Sequence, residues 1–333
     1  MAQRRVSYTH TALDGRYKPM GRVRQTEKGI AMSWSASGLS FACSASRLVF
    51  FFAPYTQAQP VAVRLCADRY SVKYMLGGEC PVIVFDTPEE IPHTVTLLRL
   101  SEGAEPLCLT GMELWGEAPS LLLPPPPLPH RLLFVGDSLT CGFGTESQLG
   151  DNAFHTWEED ATHACPFRTA AALAADYQII SISGQGLHLN AAGQRGIPFS
   201  AFWQRPEYAA AGEKERSGFV PDAVVINGGT NDVNGGADPS DFREAVRDFL
   251  LSVRAAYPEA EIVWYYGMMT TALSEDTQAV IRALADPKIT YLPAETIKAD
   301  DPQRCGTLGH PTSAAHEEAA QRLAAYLRRR MGW

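Results

Sequence analysis

Along the first third of the chain, apolar residues come in short bursts broken by turn formers, at 29–34, 39–42, 48–52, 61–65, 81–85 and 93–100. None of these bursts keeps a 3.6-residue period long enough for a helix. Their length and their Val, Ile, Phe and Thr content fit strands. Strands this short and this closely spaced predict an all-β sandwich or jelly roll. The pattern changes near Pro124. From there, continuous apolar runs at 132–135, 177–182, 222–227, 261–266 and 289–292 alternate with helical segments at 167–175, 241–257, 277–285 and 311–330. In the last of these, Ala315, Ala319, Leu323 and Leu327 recur at every fourth position and form an apolar stripe. Five strand runs separated by helices predict an α/β unit built on a doubly wound, flavodoxin-like parallel sheet of about five strands.

Between the two patterns stand Pro124, Pro125, Pro126, Pro127 and Pro129. Consecutive prolines lack backbone donors and favour polyproline II, so this stretch reads as a stiff spacer. The expected organisation is a β-sandwich over 1–118, a linker over 119–130 and an α/β domain over 131–333.

Composition narrows the partners. The 333 residues suffice for two domains, and 37 acidic against 29 basic residues give a net charge of −8. That balance excludes nucleic acid as a partner, because its affinity rests on clustered Lys and Arg. Arg328, Arg329 and Arg330 close a predicted helix, where they answer its dipole. No apolar run approaches the ~20 residues of a membrane span, and the arginines near the N-terminus precede no apolar secretory core. Seven cysteines without a CxxC pair or zinc-type spacing point to a reducing, cytoplasmic home.

Ligands of a doubly wound sheet sit beyond the carboxyl ends of its strands, and polar motifs fall at those places. The first strand runs into Gly136-Asp137-Ser138-Leu139, the second into Ser183-Gly184-Gln185-Gly186, and the third into Gly228-Gly229-Thr230-Asn231-Asp232. His310 stands before the last helix. Together they offer a hydroxyl nucleophile, an imidazole base, backbone donors at Ser138 and Gly184, and an amide donor at Asn231. Acyl transfer needs those parts. Asp137 and Asp232 are expected to hold neighbouring loop amides. His155, His163 and His188 lack partners at ligand spacing along the sequence, so no metal and no cofactor is expected. Trp157 and Trp203 fall in loops, where an indole can stack on a sugar ring.

The four blocks, in this order and spacing, resemble the SGNH (GDSL) hydrolases. The string from Gly136 to Gly144, the stretch 154–160 and a β-rich front half resemble family 2 carbohydrate esterases, which join a jelly roll to an SGNH domain. The resemblance implies an O-acetylesterase acting on acetylated oligo- or polysaccharides of the xylan or mannan type. In it Ser138 is the nucleophile, His310 the base, and Ser138, Gly184 and Asn231 the oxyanion hole. One position departs from the family pattern. Three residues before the histidine, where an aspartate is usual, stands Thr307. A backbone carbonyl of the 305–308 loop is expected to orient the ring instead, with Asp300 or Asp301 as the second choice. The alternatives are a GDSL lipase or thioesterase, or a carbohydrate-binding protein with a decayed esterase half.

Overall fold

A computed structural model describes residues 3–87, 89–215 and 217–333. The chain divides into two compact units, one comprising Met1–Pro127 with Pro206–Ala209, the other Leu128–Arg205 with Ala210–Trp333.

The first unit carries two antiparallel sheets. One orders Val23–Thr26, Gly29–Met32, Leu107–Gly116, Arg47–Phe52 and Val82–Asp86, with Arg4–Thr9 also pairing Leu107–Gly116. The other orders Ser120–Leu121, Gly38–Ser44, Pro92–Arg99, Val61–Ala67 and Tyr70–Leu76, with Lys18–Met20 pairing Gly38–Ser44. Alternating side chains such as Leu39, Phe41, Leu48, Phe50, Val63 and Leu65 are fully buried in one shared core. The sandwich predicted from the apolar bursts is therefore observed. Its ten-residue strand Leu107–Gly116 is not apparent from the pattern, because the register shifts between Leu109 and Gly111, and a bulge interrupts alternation. The spacer also begins later than expected. Ser120 and Leu121 pair with Ser44 and Cys43, so the sheet extends into the stretch expected to be linker.

The second unit is a five-stranded parallel sheet. In chain order its strands are His130–Gly136, Ala175–Ser181, Ala223–Asn227, Glu261–Tyr266 and Ile289–Pro293, and across the sheet they run second, first, third, fourth, fifth. That is the flavodoxin-like order, whose switch point lies between the first and third strands. The apolar runs are continuous because both sheet faces are covered: Leu132, Leu133, Ile179, Ile180, Val224, Ile262 and Val263 are all fully buried. Among the described residues, seven α-helices accompany it: α1 Ser138–Cys141, α2 Cys165–Ala172, α3 Phe199–Phe202, α4 Thr230–Asn234, α5 Pro239–Ala256, α6 Ser274–Leu284 and α7 Ser313–Met331. α5 starts on Asp238, whose carboxylate accepts from Ser240 N, with Pro239 at its first position. The stripe of α7 is buried as its spacing requires, Leu323 and Leu327 included.

Candidate active site

The carboxyl ends of the first three strands lie side by side, and each continues into one of the polar motifs. Gly136 ends the first strand, and Asp137 caps α1 by accepting from Leu139 N at 3.1 Å. Ser138 is thereby the first residue of a one-turn helix. Its N–H points out of the helix start, where no intrahelical acceptor exists. The second strand leads to Gly184, whose φ of +75° belongs to the left-handed region that favours glycine. Among the described residues, neither the Ser138 nor the Gly184 backbone N–H has a protein acceptor. Two residues on, Gly186 is required by close approach, since a Cβ there would lie 2.5 Å from Asp232 Oδ2. Asp232, fully buried, accepts from the amides of Leu187, His188 and Leu189 at 2.9, 2.7 and 2.9 Å. Bonds to an ionised acceptor contribute about 1.5–3 kcal/mol each, so this carboxylate fixes the loop that carries Gly184. Asp137 and Asp232 thus hold loop amides as expected.

His310 comes from the other end of the unit. Its Nε2 lies 2.8 Å from Ser138 Oγ across 172 residues of sequence. Its Nδ1 lies 3.3 Å from the carbonyl oxygen of Thr307. A carbonyl can only accept, so Nδ1 carries the hydrogen and the Nε2 lone pair faces the serine hydroxyl. Burial pushes the imidazole down to about 4, outweighing the bonds to the Thr307 and Leu308 carbonyls that favour its charged form. A neutral ring in that tautomer is the state a general base requires.

Thr307 explains how a carbonyl replaces the missing aspartate. Its hydroxyl donates to Asp151 O at 2.9 Å and Ala153 O at 3.2 Å, and its N–H donates to Ser147 Oγ at 2.8 Å. With side chain and amide anchored in the 147–153 loop, its carbonyl is left facing the ring. Leu308 and Gly309 then turn through left-handed conformations, with φ of +51° and +77°, before His310. Neither Asp300 nor Asp301 serves as the orienting acid. Asp300 is exposed, and Asp301 Oδ1 accepts from Gln303 N in a local turn. Phe143 packs on the other side of the imidazole with ring centres 4.4 Å apart, and Phe154 stacks on Phe143 at 4.7 Å.

Two other expectations, those for Asn231 and Trp203, meet the structure differently. Asn231 Nδ2 donates to Asp137 Oδ2 at 3.1 Å and to Gln185 O at 2.9 Å. Both amide hydrogens are thus engaged in joining the first and second motifs, and Asn231 reaches an oxyanion only by giving up one of those bonds. Trp203 is 2% exposed, with its edges against Phe249 and Tyr257; it is a core residue and offers no sugar platform. Trp157 is 49% exposed and stacks on His155 at 4.0 Å, which is the geometry of a surface platform. Cys141 is buried, and its thiol donates to the Ser138 carbonyl at 3.4 Å.

A serine and a neutral histidine in contact, beside two unengaged amides at the switch point of a doubly wound sheet, define the class: a serine acyl hydrolase of the α/β type. Within that class the chain belongs to the GDSL-like lipase/acylhydrolase family, whose model matches residues 134–318. It is 31% identical over 230 residues to the cellulase/esterase CelE of Acetivibrio thermocellus, covering 64% of this chain and 27% of that protein. It is 24% identical over 360 residues to an acetylxylan esterase/glucomannan deacetylase of Cellvibrio japonicus, covering 98% and 93% of the two chains. This chain therefore spans about a quarter of the first relative and nearly all of the second. In structure it is similar to a family two carbohydrate esterase from Clostridium thermocellum in complex with cellohexaose, with a TM-score of 0.86 and 23% identity over 95% of this chain and 99% of that one.

Proposed function

We propose that the protein is a carbohydrate O-acetylesterase working through a Ser138–His310 dyad. The observation that carries this reading is the 2.8 Å contact between Ser138 Oγ and a buried, neutral His310 Nε2. Ser138 Oγ attacks the acetyl carbonyl carbon while its proton passes to Nε2. The oxygen that gains charge accepts from the Ser138 and Gly184 amides. The proton then goes from Nε2 to the departing sugar oxygen, leaving an acetyl-serine. Water, deprotonated by the same nitrogen, attacks that ester; Nε2 returns the proton to Ser138 Oγ as the ester bond breaks, and acetate is released. The imidazolium formed on the way is stabilised by the Thr307 carbonyl in place of a carboxylate.

The relatives support acetylated polysaccharide of the xylan or mannan type as substrate. All seven cysteines are free thiols, which supports a cytoplasmic home and, with it, oligosaccharides rather than intact polymer. Among the described residues, no helix is long and apolar enough to cross a membrane. Hydrolysis of an aryl acetate by the protein, reduced at least about 10⁴-fold by Ser138→Ala, tests the esterase. Mass spectrometry of acetylated manno- and xylo-oligosaccharides before and after incubation tests the substrate. Loss of acetyl masses is the expected result. Unchanged masses beside intact aryl acetate hydrolysis would reject the carbohydrate and leave the lipase or thioesterase reading.

A further inference from the structure

We infer that the cleft between the 187–204 segment and α5 is a second carbohydrate-binding site, fitted to a sugar that carries a single carboxylate, a hexuronate. The choice of a sugar rests on the reading proposed above; the capture of a carboxylate does not. The cleft holds about 630 Å³, within the roughly 300–1,000 Å³ of ordinary ligand clefts. Its lining includes none of Ser138, Gly184, Asn231 and His310, so it is not the acyl-transfer site. Its walls are held in place by backbone bonds. One wall continues from Gly184: Ala191 N donates to Gly184 O at 2.9 Å, Asn190 Oδ1 accepts from Ala192 N and Gln194 N at 3.1 and 2.9 Å, and Ile197 N donates to Gln185 Oε1 at 2.7 Å. Arg195 stands inside that knot and lines the cleft. Lys214 lines it beside Gln204, whose carbonyl accepts from Glu215 N at 2.7 Å. The facing wall is α5, where Asp241, Glu244 and Asp248 fall on one face of the helix.

The charges of the two walls decide the ligand. On α5 each carboxylate already has a basic neighbour: Glu244 and Asp248 accept from Arg247, and Asp241 Oδ2 lies 3.6 Å from His188 Nε2. Opposite them, the Arg195 and Lys214 side chains have neither an ion pair nor a hydrogen bond among the described residues. Two unmatched cations sharing one cleft with a wall of carboxylates select against most small ligands. A metal ion or amine meets the two cations, and a polyanion meets the three carboxylates. A wholly neutral sugar leaves Arg195 and Lys214 without a charged partner, and a bare inorganic anion fills only a small part of the space. A hexuronate suits both walls. Its carboxylate takes charge-assisted hydrogen bonds from Arg195 and Lys214. Its hydroxyls donate to the α5 carboxylates, which can only accept. Such an acid group occurs as a side branch on otherwise neutral plant polysaccharide, so the cleft holds a decorated chain by its branch.

Calorimetric titration of the full-length protein tests the site. The probes are a glucuronate-bearing xylo-oligosaccharide without acetyl groups, the neutral xylo-oligosaccharide of equal length, free glucuronate, and acetate. The expected result is saturable binding of the glucuronate-bearing chain, at least about tenfold tighter than the neutral one. That advantage should shrink several-fold when ionic strength rises from about 0.05 to 0.5 M. Arg195→Gln and Lys214→Gln should each remove most of it and leave aryl acetate hydrolysis as in the parent. Both side chains are exposed, so the substitutions spare the core. Equal affinity for the charged and neutral chains in the parent would overturn the site. So would an advantage that survives both variants, because another surface then supplies it. Acetate binding as tightly as glucuronate would overturn the sugar assignment. The probes carry no scissile ester, so none of these outcomes depends on whether the protein deacetylates carbohydrate.

Discussion

At the scale of single residues, the site depends on one imidazole kept neutral. Burial holds His310 near 4 against an ordinary value of about 6.5. A base acts only when deprotonated, so activity should persist well below neutral pH and fall only as the ring takes up a proton. A kcat/KM profile on an aryl acetate should be flat from pH 7 down to about 5 and decline toward 4. A midpoint near 6.5 would show a solvated ring instead. The residue that makes this possible is Thr307. Its place in the sequence says only that the customary aspartate is missing; its anchoring to the 147–153 loop shows why a carbonyl stands in. Trp157 makes a second case. Under the platform reading, an exposed indole stacked on His155 would bind a sugar equally in ground and transition states. Trp157→Ala should therefore raise KM several-fold on an acetylated oligosaccharide with kcat nearly unchanged, and leave a small aryl acetate unaffected.

At the scale of elements, the helices around the sheet are joined by buried polar bonds as well as by apolar stripes. α2 begins after Ala164, which has no side chain to cap it, and its Cys165 N donates instead to His316 Nδ1 of α7 at 3.2 Å. Burial, chiefly, and then Arg168 and His310 push the fully buried His316 ring down to about 3. The folded state therefore refuses a proton that the unfolded chain accepts below about 6.5. Between those values the unfolded state binds more protons, so stability is complete above pH 6.5 and lost as pH falls toward 3. Denaturant midpoints should decline steadily from pH 7 to pH 4. His316→Asn, which keeps an acceptor for Cys165 N, should flatten that slope while His310 retains its own share. An unchanged slope would exclude His316 as the source. The elements themselves were largely legible in the linear pattern. The five parallel strands have both faces covered, so each shows as an unbroken apolar run. Strand Leu107–Gly116 was not legible, because its bulge breaks the alternation that marks a strand.

At the scale of the whole molecule, the net charge of −8 sets what approaches the site. An acidic surface repels polyanions and is indifferent to neutral sugars. The protein should pass a heparin column unretained at about 0.15 M ionic strength. Its rate on a neutral acetylated oligosaccharide should change less than about twofold on adding salt. Retention on heparin would reveal a basic face that the overall balance conceals. The arginines closing α7 form no such face as a group. Arg330 pairs with Glu261, and Arg328 bonds the Ala172 carbonyl.

Two architectures, the strand order's class and the four polar motifs were set by the sequence alone. Each depends on residues within a few positions of one another, through hydrophobic period, turn chemistry and helix starts. What the tertiary structure decided is how side chains from distant segments meet and which way they face. It turned the Thr307 carbonyl to His310, engaged both Asn231 hydrogens, buried Trp203 under α5, and set Glu146 3.1 Å from a histidine 17 positions along the chain. No local pattern encodes those meetings. They follow from the order in which strands lie across the sheet and from how loops pack at its carboxyl edge, where every donor must find an acceptor once water is gone.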